Sequence, residues 1–140
     1  MSALERVRGS VVCCHAGRLL CVKLRDPLTR VARFFPPGGA LEPGETPIAA
    51  AVRETLEDTG YRVVADAARS RVARYPYVWN GVERAVTTHF FAAQLADPSA
   101  PPAPIHDVDY NEATLWLALD ALAENLGFQP EMLSAVLSLV

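Results

Sequence analysis

Apolar and polar positions follow two different rhythms along this chain. Val7 to Cys14 and Leu19 to Leu24 are rich in β-branched and apolar residues, and His15-Ala16-Gly17 separates them, so they predict an opening hairpin. Tyr75 to Trp79 and Val82 to Leu95 flank Asn80-Gly81, a dipeptide suited to a two-residue turn with positive φ at both positions, and predict a second hairpin. Between the hairpins the period changes. At about 100° per residue, Ile48, Ala51, Val52, Thr55, Leu56 and Thr59 fall on one side of a helix, as a core-facing stripe does. Thr46 suits the N-cap, Pro47 the first helical position, where its missing N–H costs nothing, and Gly60 the left-handed position past the end. A helix from about Pro47 to Asp58 follows, preceded by two Pro/Gly turns, Pro36-Pro37-Gly38-Gly39 and Glu42-Pro43-Gly44-Glu45. After a proline-rich loop from Asp97 to Pro104, Glu112 to Leu117 reads as a short strand, Ala118 to Asn125 as a short helix or turn, and Pro130 to Val140 as a terminal helix. Strands surrounding one central helix indicate an α+β fold rather than regular βαβ winding.

Composition narrows the class. With 140 residues, 51% of them hydrophobic and 21% charged, the chain can build its own core, and the absence of an internal repeat points to one domain over residues 1–140. A net charge of −3 offers no polycationic surface, so no nucleic-acid polymer or acidic membrane is expected as a partner. An anionic ligand would need a local device. No apolar run approaches the roughly 20 residues of a membrane helix, and Met1 to Arg8 lacks the apolar stretch of a signal peptide, so a cytoplasmic protein is expected. Cys13, Cys14 and Cys21 sit in apolar strands without metal-ligand spacing and read as small buried hydrophobes, and His15, His89 and His106 share no metal spacing either.

The candidate chemistry lies on the helix. Glu54, Glu57 and Asp58 fall on the face opposite the apolar stripe at i, i+3 and i+4, where like charges repel by roughly 0.2–0.5 kcal/mol per pair. They also lie toward the helix C-terminus, which disfavours negative charge. One reading is a solvated acidic face with Arg53 paired to Glu57. The other is a site for a hard divalent cation such as Mg²⁺, which takes oxygen ligands from a few carboxylates, waters and substrate phosphates.

From Gly39, five residues lead to Glu45 and seven more to Arg53-Glu54, followed by Glu57, Asp58, Gly60 and Tyr61. This pattern resembles the Nudix box. Six matches at fixed spacing arise by chance in roughly 10⁻⁵ of chains of average composition. Two positions depart from it: Thr55 stands where the family favours an aliphatic residue, and Asp58 where it favours glutamate. The resemblance implies an α/β/α sandwich with a mixed sheet and a loop-helix-loop carrying the box. It implies Mg²⁺-dependent hydrolysis, with Mn²⁺ as a substitute, of a pyrophosphate bond in a nucleoside diphosphate linked to another moiety: a nucleoside triphosphate, ADP-ribose or a related small-molecule nucleotide. By the same resemblance Glu54 and Glu57 are the catalytic acids, and Gly39, Glu54, Glu57, Asp58 and Glu112 the metal-site candidates. The resemblance also implies that Glu45 and Arg53 are a structural pair, an ion pair that would fix the loop to the helix. By that resemblance the general base is expected to be Glu54 or a later acid among Asp107, Asp109 and Glu112.

Substrate recognition is more open. Phe34, Phe35, Tyr75, Tyr77 and Trp79 either stack on a base or belong to the core, and Arg25, Arg30 and Arg33 either meet a phosphate or line the surface. Of these, Phe34, Phe35, Arg33 and Tyr77 are the substrate-binding candidates. Pro76 resembles a mark of ADP-ribose hydrolases, and the adjacent Tyr77 one of dinucleoside polyphosphate hydrolases. A competing function is a non-catalytic nucleotide-sensing or scaffold module on the same fold, but such a module would be expected to lose box acids, and each acidic position here keeps a carboxylate.

Overall fold

The parallel register between β1 (Leu4–His15) and β6 (Val82–Leu95), running from Leu4 opposite Arg84 to Cys13 opposite Ala93, is the backbone of the architecture. The computed structural model describes residues 4–105 and 110–140. Around that central pair, β5 (Val63–Trp79) lies antiparallel to β6, and the short β4 (Gly38–Ala40) lies antiparallel to β1. A second ladder joins β2 (Arg18–Arg25) to β3 (Ala32–Phe35) and to β7 (Asn111–Ala118), both antiparallel.

The first turn forms as the pattern predicts, with Ala16 at φ 51° and Gly17 at φ 76°, but the hairpin it closes is short. Only Cys14–Leu19 and His15–Arg18 pair across it; beyond the tip β1 joins β4 and β6 while β2 joins β3 and β7. The sheet therefore splits, and a cleft opens between its halves. The Asn80-Gly81 hairpin is longer than its sequence signal, because β5 begins at Val63.

Alternation along β1 feeds two separate cores. Val11 and Cys13 pack with Leu20, Phe91 and Ala51 of α1 (Pro47–Thr59), whereas Val12 packs with Phe90 and with Leu122, Leu126, Met132 and Val136 of α2 (Leu122–Leu126) and α3 (Pro130–Leu137). Helices cover both faces of the mixed sheet, as an α/β/α sandwich requires. Cys13 and Cys21 are fully buried, and burial pushes their thiols up to about 11 and about 12.

Helix α1 starts at the Thr46 cap, whose hydroxyl accepts from the Ala49 N–H, and ends at Gly60 with φ 77°. Its N-terminus crosses β1 at Gly9. A Cβ there would lie 2.0 Å from the Pro47 carbonyl oxygen and 2.9 Å from the Ala51 nitrogen, both backbone atoms that cannot swing aside. Gly9→Ala is expected to destabilise the fold by about 1–3 kcal/mol or more, measured by urea unfolding with an unchanged m-value. A wild-type midpoint would mean that the helix slides freely on the strand.

Candidate active site

Arg53 organises the box. Its Nε and Nη2 each donate to Glu45 at 2.8 Å, a fork-to-fork pair, and Nη2 also donates to the Ala40 carbonyl at 3.1 Å. Its Nη1 donates to Glu54 Oε1 at 2.9 Å and to both Glu57 oxygens at 3.3 and 3.2 Å. Bidentate pairing of this kind is stronger and more directional than a simple ion contact. The Arg53 guanidinium holds the Glu45 carboxyl down at about 2, helped by the hydrogen bond from the Glu42 N–H to Glu45 Oε1. One cation thus ties the loop at Glu45, the backbone at Ala40 and two box acids into one unit.

Glu54 behaves differently from its neighbours. Burial raises its carboxyl above the usual range, against the pull of Arg53. It is buried because Gly39 has no side chain: a Cβ at Gly39 would stand 2.3 Å from the Glu54 carboxyl carbon and 2.6 Å from each oxygen. Glycine at this position makes the cradle in which the carboxylate rests. Glu54, Asp58 and the Gly38-Gly39-Ala40 strand together line one end of a cleft of about 200 Å³.

The other predicted residues are distributed unequally. Asp58 faces the cleft, and its carbonyl accepts from Asn111 Nδ2 at 2.9 Å and Thr114 Oγ1 at 3.4 Å, which fastens the end of α1 to β7. Glu57 is exposed and turned to Arg53. Glu112 sits on β7 in an ion pair with Arg25, with Lys23 at 3.7 Å, and does not line the cleft. Asp107 and Asp109 lie outside the described residues, as does His106. Among the described residues, no three His, Cys, Asp or Glu side chains stand together as a ready-made metal cage.

Of the substrate candidates, Phe35 and Tyr77 line the cleft, edge to face at 5.7 Å. Phe34 is half-buried against the core, Arg33 lies over the Phe128 ring at 4.9 Å, and neither lines the cleft. Tyr75 and Trp79 do line it; the Tyr75 hydroxyl is 2.9 Å from Thr88 Oγ1, and the Trp79 ring meets Tyr110 edge to face at 5.6 Å. Pro76 is exposed, and its carbonyl accepts from Gln129 Nε2.

Three cationic lining residues were not singled out by sequence: Arg6, Arg8 and Arg84. Their signal was the strand period itself. Arg6 and Arg8 alternate on β1, and the parallel register sets Val86 opposite Arg6, which puts Arg84 on the same face. No local pattern reveals that register.

A family model described as NUDIX domain matches residues 4–136. No curated protein matches the chain in sequence. Among solved structures, a NUDIX hydrolase from Nitrosomonas europaea is similar with a TM-score of 0.70 at 23% identity, over 96% of this chain and 87% of that one. A C. elegans Ap4A hydrolase in a binary complex is similar with a TM-score of 0.69 at 18% identity, over 97% and 94%. The MutT protein from Methanosarcina mazei Go1 gives 0.68 at 14% identity, over 97% and 93%. At these identities the likeness is one of fold.

Proposed function

This chain belongs to the Nudix hydrolase family, and on that premise we propose that it hydrolyses a pyrophosphate bond of a nucleoside diphosphate joined to another group, with Mg²⁺ as the activating ion and Mn²⁺ as a substitute. The candidate substrates are nucleoside triphosphates, ADP-ribose and related nucleotides. The observation that carries the proposal is the Glu54 carboxylate, seated in the Gly39 cradle at the end of a cleft, raised in basicity by burial and oriented by Arg53.

The donor set suits a hard, partly hydrated cation. Glu54 and Asp58 supply two carboxylates to the cleft, the glycine strand leaves its backbone open beside them, and Mg²⁺ commonly combines so few protein oxygens with waters and substrate phosphates. Glu57, one turn from Glu54 and exposed, is the third acid in reach if it leaves Arg53. Bound there, the ion would neutralise phosphate oxygens and acidify a water. Glu54 then accepts a proton from the attacking water at a carboxylate oxygen, while Arg53 keeps that carboxylate in place. Walls contributed by Phe35, Tyr75 and Tyr77 exclude bulk water from the reacting phosphates and offer ring faces to the nucleotide.

The test is a hydrolysis screen with Mg²⁺ and Mn²⁺ over nucleoside triphosphates, ADP-ribose, nucleotide sugars and dinucleoside polyphosphates, with products identified, alongside calorimetric titration of the metal. Hydrolysis that needs the metal is expected, with metal binding weakened in Glu57→Gln. No turnover of any compound in the presence of either ion would overturn the proposal.

A further inference from the structure

Arg6, Arg8 and Arg84 crowd one cleft in a protein whose overall charge is −3, and none of them forms an ion pair with a described acid. Glu54 and Asp58 line the same cleft and Glu54 partly offsets the cluster, but among the described lining residues three guanidiniums face two carboxylates, and Arg6 is held below its usual range by burial first and by Arg8 and Arg84 after it. The Nε atoms of Arg6 and Arg84 are buried and have no hydrogen-bond acceptor among the described residues. Native structures rarely leave such donors unmet. The Nε edge of a guanidinium is the edge that grips a phosphate or carboxylate bidentately.

Strand register orders the three cations. Gly9 of β1 pairs with Gly39, the cradle of Glu54, and Arg8 pairs with Ala40 next to it. Arg6 is two residues farther along β1, and Arg84 of β6 lies opposite Leu4, two residues farther again. At about 3.3 Å per residue, each two-residue step places positive charge roughly 6–7 Å farther from the carboxylate end. By this register a lone diphosphate held beside Glu54 lies nearest Arg8 and farthest from Arg84. An anion extended along β1 meets all three.

We propose that Arg6, Arg8 and Arg84 form a polyphosphate subsite that selects nucleotides carrying at least one phosphate beyond the scissile diphosphate. The inference rests on the pyrophosphohydrolase reading of the cleft and names the substrate class within it. Substrates whose second moiety is an uncharged sugar leave the outer arginines desolvated and unpaired, and are disfavoured for that reason.

Two measurements on the full chain test it. The first is the ratio of kcat/KM for ATP to that for ADP-ribose with Mg²⁺. Wild type is expected to favour ATP, and Arg6→Gln and Arg84→Gln to lower the ratio by about tenfold to a hundredfold, mainly through KM for ATP. Arg84→Lys should restore part of it. Arg71→Gln, exposed on β5 outside the cleft, should leave the ratio unchanged. The second is calorimetric binding of inorganic tripolyphosphate against pyrophosphate, which needs no turnover. Tripolyphosphate should bind more tightly, and Arg84→Gln should erase most of the difference. Equal loss on ATP and ADP-ribose, or equal binding of the two polyphosphates by wild type, overturns the subsite. Absence of hydrolysis alongside preferential tripolyphosphate binding would instead overturn the activity and leave the subsite standing.

Discussion

Glu54→Gln is expected to lower kcat by roughly 10²–10⁴-fold while leaving the fold intact, the range that a positioned general base contributes. An amide has the shape of the acid, fits the Gly39 cradle, and still accepts from Arg53 Nη1 through its oxygen. It has neither the charge nor the basicity. Thermal unfolding should be close to wild type, because the carboxylate whose ionised form burial disfavours is replaced by a neutral group of the same size. Glu112→Gln is the comparison. Its carboxylate is bound to Arg25 on β7, outside the cleft lining, so loss of that acid should affect kcat by less than about tenfold. Wild-type kcat in Glu54→Gln, or equal loss in both variants, would move the base to another residue.

The helix that carries Glu54 was legible from sequence because its signals are local. Thr46, Pro47 and Gly60 mark its ends, and a stripe at helical spacing marks its buried side; the structure extends it by one residue to Thr59. Thr55, the departure from the family's aliphatic preference, is fully buried, and its hydroxyl donates to the Ala51 carbonyl at 2.7 Å, so its polar atom is satisfied within the helix. The spacing of the box acids was legible in the same way. Strands were legible where hydrophobic residues alternate, and hidden where they do not. The first half of β5 carries Asp66, Arg69 and Arg71 on an exposed edge, and its register shifts between Ala65 and Ser70. β3 and β4 are short and adjoin Pro36-Pro37-Gly38-Gly39, so turn signals mask them.

Least legible was everything that depends on one strand finding another. The predicted hairpin of β1 and β2 has the right turn, yet β1 takes most of its pairing from β6, which lies far along the chain beyond α1 and β5. That choice splits the sheet, opens the cleft, and turns Arg6, Arg8 and Arg84 toward one another. Propensity and periodicity describe a strand's own faces but not its neighbour. The acids of the candidate site were therefore visible as a motif, whereas the arginines that line its cleft existed in the sequence only as scattered surface-like residues.

Gly39→Ala separates the position of Glu54 from its chemistry. Gly39 is not among the residues with positive φ, so alanine meets no backbone penalty there. The added methyl would lie 2.3 Å from the Glu54 carboxyl carbon, and what it strikes is the far end of a flexible side chain, which can rotate away at little cost to the fold. Activity should then fall by about 10²-fold or more, since a displacement of roughly 1 Å at a reacting group costs that much, while stability changes little. Gly17→Ala supplies the converse: at φ 76°, with nothing within 4 Å of the space its methyl would occupy, it should cost about 1 kcal/mol of stability through backbone strain and spare turnover. Steady-state kinetics and urea unfolding on the two variants read these effects separately. If Gly39→Ala retained wild-type kcat, the cradle would have no part in holding the base; if it unfolded the protein, its methyl would be pressing on backbone rather than on the carboxylate.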